Sequence, residues 1–169
     1  METIKPLLDI FPPGGIISPT RIRYTRAGLT ASGYIKPYTR LDFASLAKLI
    51  HALGACDGGF HSAMIYANDR KLEAVLKAGP APQIQAWTEI AKILEDPSER
   101  AKVVCISVQR DLNAITTVLY SDDTYKVFPR YCIAPPQDQD AGPATVFSRE
   151  VLDKFASILK PSARYETAQ

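Results

Sequence analysis

Only two histidines, His51 and His61, and three cysteines, Cys56, Cys105 and Cys132, occur in the 169 residues. So few histidines leave few forms of Ser-His-Asp or Cys-His catalysis, and no spacing here specifies one. The cysteines make neither a CxxC pair nor a disulfide framework, so a reducing intracellular setting is the simplest expectation. No apolar run approaches the ~18 residues of a membrane-crossing helix, which excludes a membrane partner at that level. The opening METIKPLLDIFPPGG lacks a basic start and an adequate apolar stretch, so no signal peptide is expected. One further absence is local: from Ile10 to Leu41 there is no acidic residue.

What is present is ordinary in bulk. Hydrophobic residues make up 46% and charged residues 22%, which fits a folded domain with a sizeable core. The net charge of +2 is small, but residues 10–41 hold five basic groups, leaving 15 basic against 18 acidic elsewhere. Concentrating +5 in one stretch, against −3 in the remainder, favours an anionic partner for that stretch.

Periodicity predicts an α/β fold, a mixed sheet flanked by helices. Four prolines and Gly14-Gly15 mark the first twenty residues as an irregular arm. TRIRYTR over residues 20–26 alternates like a half-exposed strand, and Gly33 to Tyr38 is placed to pair with it. Thr39 and Asp42 open a helix in which Phe43, Leu46, Ala47, Ile50 and Leu53 share a face, with Gly54 ending it. GFHSAMIYAN reads as a buried strand and Asn68 as the cap of a second helix with Leu72, Val75 and Leu76. Pro82 opens a third, with Ile84, Trp87, Ile90, Ala91 and Leu94 on one face and Pro97 closing it.

KVVCISVQ, residues 102–109, has the β-branched density of a central strand covered on both faces. ITTVLY and TYKVF form a hairpin around Ser121-Asp122-Asp123. This element order is loosely similar to a BRCT-like module. A core domain of residues 1–129 is therefore expected, followed by a largely disordered Pro-rich tail, 130–169. The tail carries an amphipathic helix near 148–160, capped by Ser148 and stapled by Phe147 and Leu152. Such a short helix is marginal alone, so Leu152, Phe155 and Leu159 are the expected anchors of a contact with a partner protein.

Three constellations invite a chemical reading. His51, Cys56, Asp57 and His61 fall close together, but H-x4-C-D-x3-H matches no zinc pattern and spans a helix and a strand; incidental polar residues in a loop are the favoured explanation. Asp57-Gly58-Gly59 lacks the Lys and Ser or Thr of a phosphate-cradling loop. Tyr120-Ser121-Asp122-Asp123 places two carboxylates in a hairpin as polymerases do, yet Asp in such turns is common for conformational reasons. No metal, cofactor or catalytic residue is expected.

The acid-free stretch is richer. Single-strand binders pair cations that follow phosphates with aromatic faces on which bases stack, each stack contributing roughly 1–3 kcal/mol. Arg21, Arg23, Arg26, Lys36 and Arg40 beside Tyr24, Tyr34 and Tyr38 supply both kinds of group. The alternative is an edge hairpin whose charges prevent aggregation. Five charges imply weak, salt-sensitive and sequence-tolerant contact with RNA.

Residues 46–76, LAKLIHALGACDGGFHSAMIYANDRKLEAVL, with helix, Gly-Gly turn, apolar strand, Ala-Asn and Leu-rich helix, resemble the minor core protein family of cystoviruses, the enveloped double-stranded RNA bacteriophages. Chain length, α/β core and Pro-rich tail are similar too. The resemblance implies a non-enzymatic cofactor of a viral polymerase complex that stabilises procapsid assembly and assists RNA packaging. It implies the capsid protein, the polymerase and the packaging NTPase as partners, and the virion inner core and host bacterial cytoplasm as location; a homodimer is compatible with it. The rival expectation is a protein-interaction adaptor or inhibitor without nucleic-acid binding, and a third is a small metal-dependent enzyme.

Overall fold

A computed structural model of the chain describes residues 5–11, 17–37, 41–55, 85–109, 115–128 and 144–159. Their order is α1 (Lys5–Leu8), α2 (Pro19–Ala31), α3 (Phe43–Ala55), α4 (Ala86–Glu95), α5 (Pro97–Lys102), β1 (Val103–Gln109), β2 (Thr116–Tyr120), β3 (Tyr125–Phe128), β4 (Ala144–Ser148) and α6 (Arg149–Leu159). Helices packed on a sheet make the mixed α and β class expected from periodicity. The strand order is β3-β2-β1-β4, and every pairing among the described residues is antiparallel, in place of the mixed sheet expected.

One face of the sheet is covered. Ile106, Val108, Val118, Thr145 and Phe147 point inward and are buried, whereas Val104, Val127 and Val146 are exposed. β1 is therefore interior to the sheet, and among the described residues only one of its faces is covered, where its continuous apolar run suggested two. A register irregularity between Val103 and Cys105 lets Val103 stay buried while Val104 turns outward.

The largest correction is at residues 20–26, which are helical. Ser18 caps α2 by accepting a hydrogen bond from the Arg21 amide at 3.2 Å, and Pro19 sits in the first turn, where its missing N–H costs nothing. Arg21, Ile22, Thr25 and Leu29 are buried at helical spacing. The helix ends in a Schellman motif: Gly33 takes φ +77°, its N–H reaches the Thr30 carbonyl at 3.1 Å, and the Tyr34 N–H reaches that of Leu29 at 2.9 Å. Gly33 thus closes a helix and does not begin a paired strand.

α3 is the central helix, buried from Leu49 to Ala55. Asp42 caps it by accepting from the Ser45 amide at 2.7 Å, and hydrogen bonding from the Ser45 side chain, then from its amide, holds the carboxyl below its ordinary range. Gly54 lies inside α3 and does not end it. A Cβ there would stand 2.7 Å from Val108 Cβ, so glycine permits the close approach of helix to sheet. Pro97 likewise starts α5 in place of merely closing α4, with Asp96 accepting from the Ser98 amide at 2.8 Å.

The proposed division at residue 129 gives way as well. β4 pairs with β1 from Cys105↔Ser148 to Gln109↔Ala144, and α6 buries Leu152, Phe155 and Ala156. Phe155 packs edge-on against Phe147 at 6.3 Å between ring centres and, tilted, against Phe11 at 5.5 Å. Arg100 adds a polar tie: its Nε donates to Asp153 at 2.6 Å and its Nη1 to the Leu94 carbonyl at 2.7 Å. Residues 144–159 therefore belong to the core, because an amphipathic helix following a strand that the sheet recruits has a surface to bury itself on. The expected strand and helix within residues 56–84, and the Pro-rich stretch 129–143, lie outside the described residues.

Candidate nucleic-acid interface

The helical state of α2 sorts the basic strip into two faces. Arg21 turns inward, where its Nη2 donates to the Leu53 carbonyl at 2.5 Å, so it is unavailable to a partner. Arg23 and Tyr24 face solvent, Tyr24 being 49% exposed, and Arg26 is half-buried beside them. Beyond the Schellman turn, Lys36 is exposed and Tyr34 is half-buried against the core. Tyr38 and Arg40 lie outside the described residues.

Two contacts orient this surface. Arg21, near the start of α2, meets Leu53 near the end of α3, while Tyr34, just past α2, accepts a 3.2 Å hydrogen bond from Lys48 Nζ. The two helices therefore run antiparallel, and Lys48 stands beside Tyr34 just past the C-terminal end of α2. Lys48 Nζ also stands 4.5 Å from the centre of the Trp87 ring, which brings α4 to the same corner.

Sequence reasoning missed Lys48 and misplaced Trp87. Lys48 stands beyond the acid-free stretch, yet it is the one Lys or Arg of α3, a signal that it reaches the surface. Periodicity places Trp87 on one face with Ile90 and Leu94, which implies burial with them. Ile90 and Leu94 are buried, but Trp87 is half-buried, its Nε1 donating to the Gln85 side chain.

The candidate chemical constellations resolve into structural roles where they are described. Asp122 Oδ1 accepts from the Thr124 amide at 3.1 Å and its hydroxyl at 2.5 Å, and Asp123 takes φ 61°, so both carboxylates stand in the β2–β3 turn. Glu89 accepts from the Tyr120 hydroxyl at 2.9 Å and pairs with Lys126, tying α4 to the sheet. Burial pushes the Glu89 carboxyl up, but the hydrogen bonds from Lys126 and Tyr120 outweigh it and hold it low. Among the described residues no group of three His, Cys, Asp or Glu side chains could hold a metal ion, and no helix is long and apolar enough to cross a membrane. Cys56, Asp57 and His61 lie outside those residues.

His51 is buried in α3, with Nε2 sharing a 2.8 Å hydrogen bond with the Thr116 hydroxyl and Nδ1 without a hydrogen-bond partner among the described residues. Burial lowers its pKa from 6.5 to about 4. The folded value lies below the unfolded one, so unfolding takes up a proton between those limits. The stability from neutral His51 is thus complete above the unfolded value and lost as pH falls toward the folded one. From pH 7 to pH 5 the loss through His51 should be about 2 kcal/mol. Urea unfolding at both pH values should show a smaller difference for His51→Gln than for the natural protein; equal differences would refute this source of acid sensitivity.

The partner anchors proposed from sequence are also relocated. Leu152 and Phe155 are fully buried in the chain's own core, and Leu159 is half-buried against it. A different apolar surface is open: the outer face of the sheet carries Tyr125, Val127 and Val146 at 67%, 42% and 59% exposure. Comparison with known proteins finds no matching family model, no matching curated protein and no matching solved structure.

Proposed function

We propose that the chain is a non-enzymatic accessory protein that contacts single-stranded RNA through the solvent face of α2 and the turn after it. The observation that carries this reading is the arrangement of Arg23, Tyr24 and Arg26 on a helix without acidic residues, followed by Tyr34 and Lys36. Cations there can follow phosphates while the exposed Tyr24 ring receives a base, a combination that is tolerant of sequence. The contact is weak because few phosphates are neutralised, and it falls with salt because each neutralised phosphate releases counterions. A role in assembling a viral polymerase complex, with capsid protein, polymerase and packaging NTPase as partners inside the virion core, rests on the cystovirus resemblance of residues 46–76, of which 46–55 are described.

The test is the triple substitution Arg23→Gln, Arg26→Gln, Lys36→Gln, titrated with fluorescently labelled oligouridylate across a range of salt. Each lost phosphate contact lowers the slope of log K against log salt by about 0.7 on a single strand, so the triple variant should lose about 2. A folded triple variant with unchanged affinity and slope would make these charges structural.

A second reading has its own observation. The outer face of the sheet, with Val104, Tyr125, Val127 and Val146 exposed, is the kind of surface a protein-interaction module uses. Under that reading the cations of α2 serve solubility, and the triple substitution changes nothing but charge.

A further inference from the structure

We propose that Trp87 and Lys48 form a base-stacking subsite at the end of the α2 track, taking one unpaired base and its phosphate. The inference rests on the RNA reading above and extends it to two residues outside the basic strip.

Geometry carries the argument. Three elements converge on Lys48 Nζ: it belongs to α3, donates to the Tyr34 carbonyl after α2 at 3.2 Å, and stands 4.5 Å from the centre of the Trp87 ring on α4. An ammonium has three donors, and the Tyr34 carbonyl uses one, leaving capacity for a phosphate oxygen. Trp87 is half-buried while Ile90, Ile93 and Leu94 of the same helix are buried. Its indole N–H is held by Gln85, which sets the ring's orientation, and Lys48 Nζ stands over one face, so a base would stack on the part of the ring that the ammonium and the core leave open. A fixed, partly open aromatic beside a cation is what stacking on a single strand needs.

Placement along the surface agrees. α2 has 13 residues, so it spans about 20 Å, and single-strand sites extend over about 4–16 nucleotides. A strand following Arg23 and Arg26 along α2 would reach the C-terminal end of the helix, where Lys48 holds the Tyr34 carbonyl. The carboxylate closest in sequence to Trp87, Glu89, is engaged by Lys126 and Tyr120, which reduces its repulsion of a phosphate. Asp42, which acts on Lys48 electrostatically, is engaged by the Ser45 amide. The alternative is that Lys48 merely covers Trp87 as a structural cation–π pair.

Trp87 is the sole tryptophan of the chain, so its emission reports this site alone. The full-length protein is titrated with oligouridylate, following Trp87 emission and, separately, the anisotropy of a labelled oligouridylate. The subsite predicts quenching of Trp87 in step with anisotropy and about tenfold weaker binding by Trp87→Leu, largely restored in Trp87→Phe. Lys48→Gln should lower the salt slope by about 0.7; this variant and natural-protein quenching decide the matter should Trp87→Leu not fold. Binding without quenching, or quenching with undiminished affinity in Trp87→Leu, would overturn the subsite and leave the α2 reading standing. No binding by either signal at low salt would overturn both.

Discussion

Phe155→Ala should destabilise the protein by about 3–5 kcal/mol, the range for truncating a fully buried aromatic residue. Phe155 is fully buried and touches Phe147 on β4 and Phe11 in the N-terminal segment, so one side chain joins three parts of the chain. Its removal leaves a cavity that the sheet on one side and the helices on the other resist filling. Chemical unfolding of the purified variant measures the effect. A Phe155→Ala protein with the stability of the natural one would mean that residues 149–159 do not dock on the core, and would restore the mobile-tail alternative.

Gly54→Val should cost about 3 kcal/mol, at the upper end of overpacking effects. Valine offers less entropy loss than glycine in a helix, but its first side-chain atom would fall 2.7 Å from Val108 Cβ and 3.1 Å from the Phe147 ring. Both neighbours belong to strands of the sheet, so relief requires α3 to lift off the sheet. Gly54→Ala should show a reduced form of the same loss. Stability equal to or above that of the natural protein in both variants would show that α3 and β1 do not approach this closely.

Much of this architecture was legible in the sequence, and its failures have local causes. The β-branched run of β1 and the hairpin around Asp122 and Asp123 declared themselves, because neighbouring strands pair without needing distant information. Asp42 was recognisable as the start of α3. α2 was misread because the inward-facing Arg21 imitates an outward-facing polar position, making TRIRYTR alternate. Ser18 followed by Pro19, with Ile22, Thr25 and Leu29 at helical intervals, was the signal that contradicts a strand. β4 was lost in the Pro-rich composition before it, although Thr145 and Phe147 alternate with Val146. Its pairing with β1 spans almost forty residues, and a single sequence carries no cue for such a partner.

The candidate interface was half legible. Charge asymmetry located Arg23, Arg26 and Lys36, since an acid-free stretch is visible without a structure. Which cations face solvent depends on the helix, and that removed Arg21. Lys48 and Trp87 join the same corner only through packing of α3 between α2 and α4, which no linear pattern encodes.

The central claim is that RNA meets this protein on the solvent face of α2, and residue-by-residue NMR of the full chain titrated with oligouridylate tests it most directly. Amide shifts should be largest at Arg23, Tyr24, Arg26, Tyr34 and Lys36 at low salt, and should collapse at high salt as the phosphate contacts are screened. Shifts confined to Ser107, Val127 and Val146 on the outer face of the sheet, or no shifts at low salt, would contradict the account.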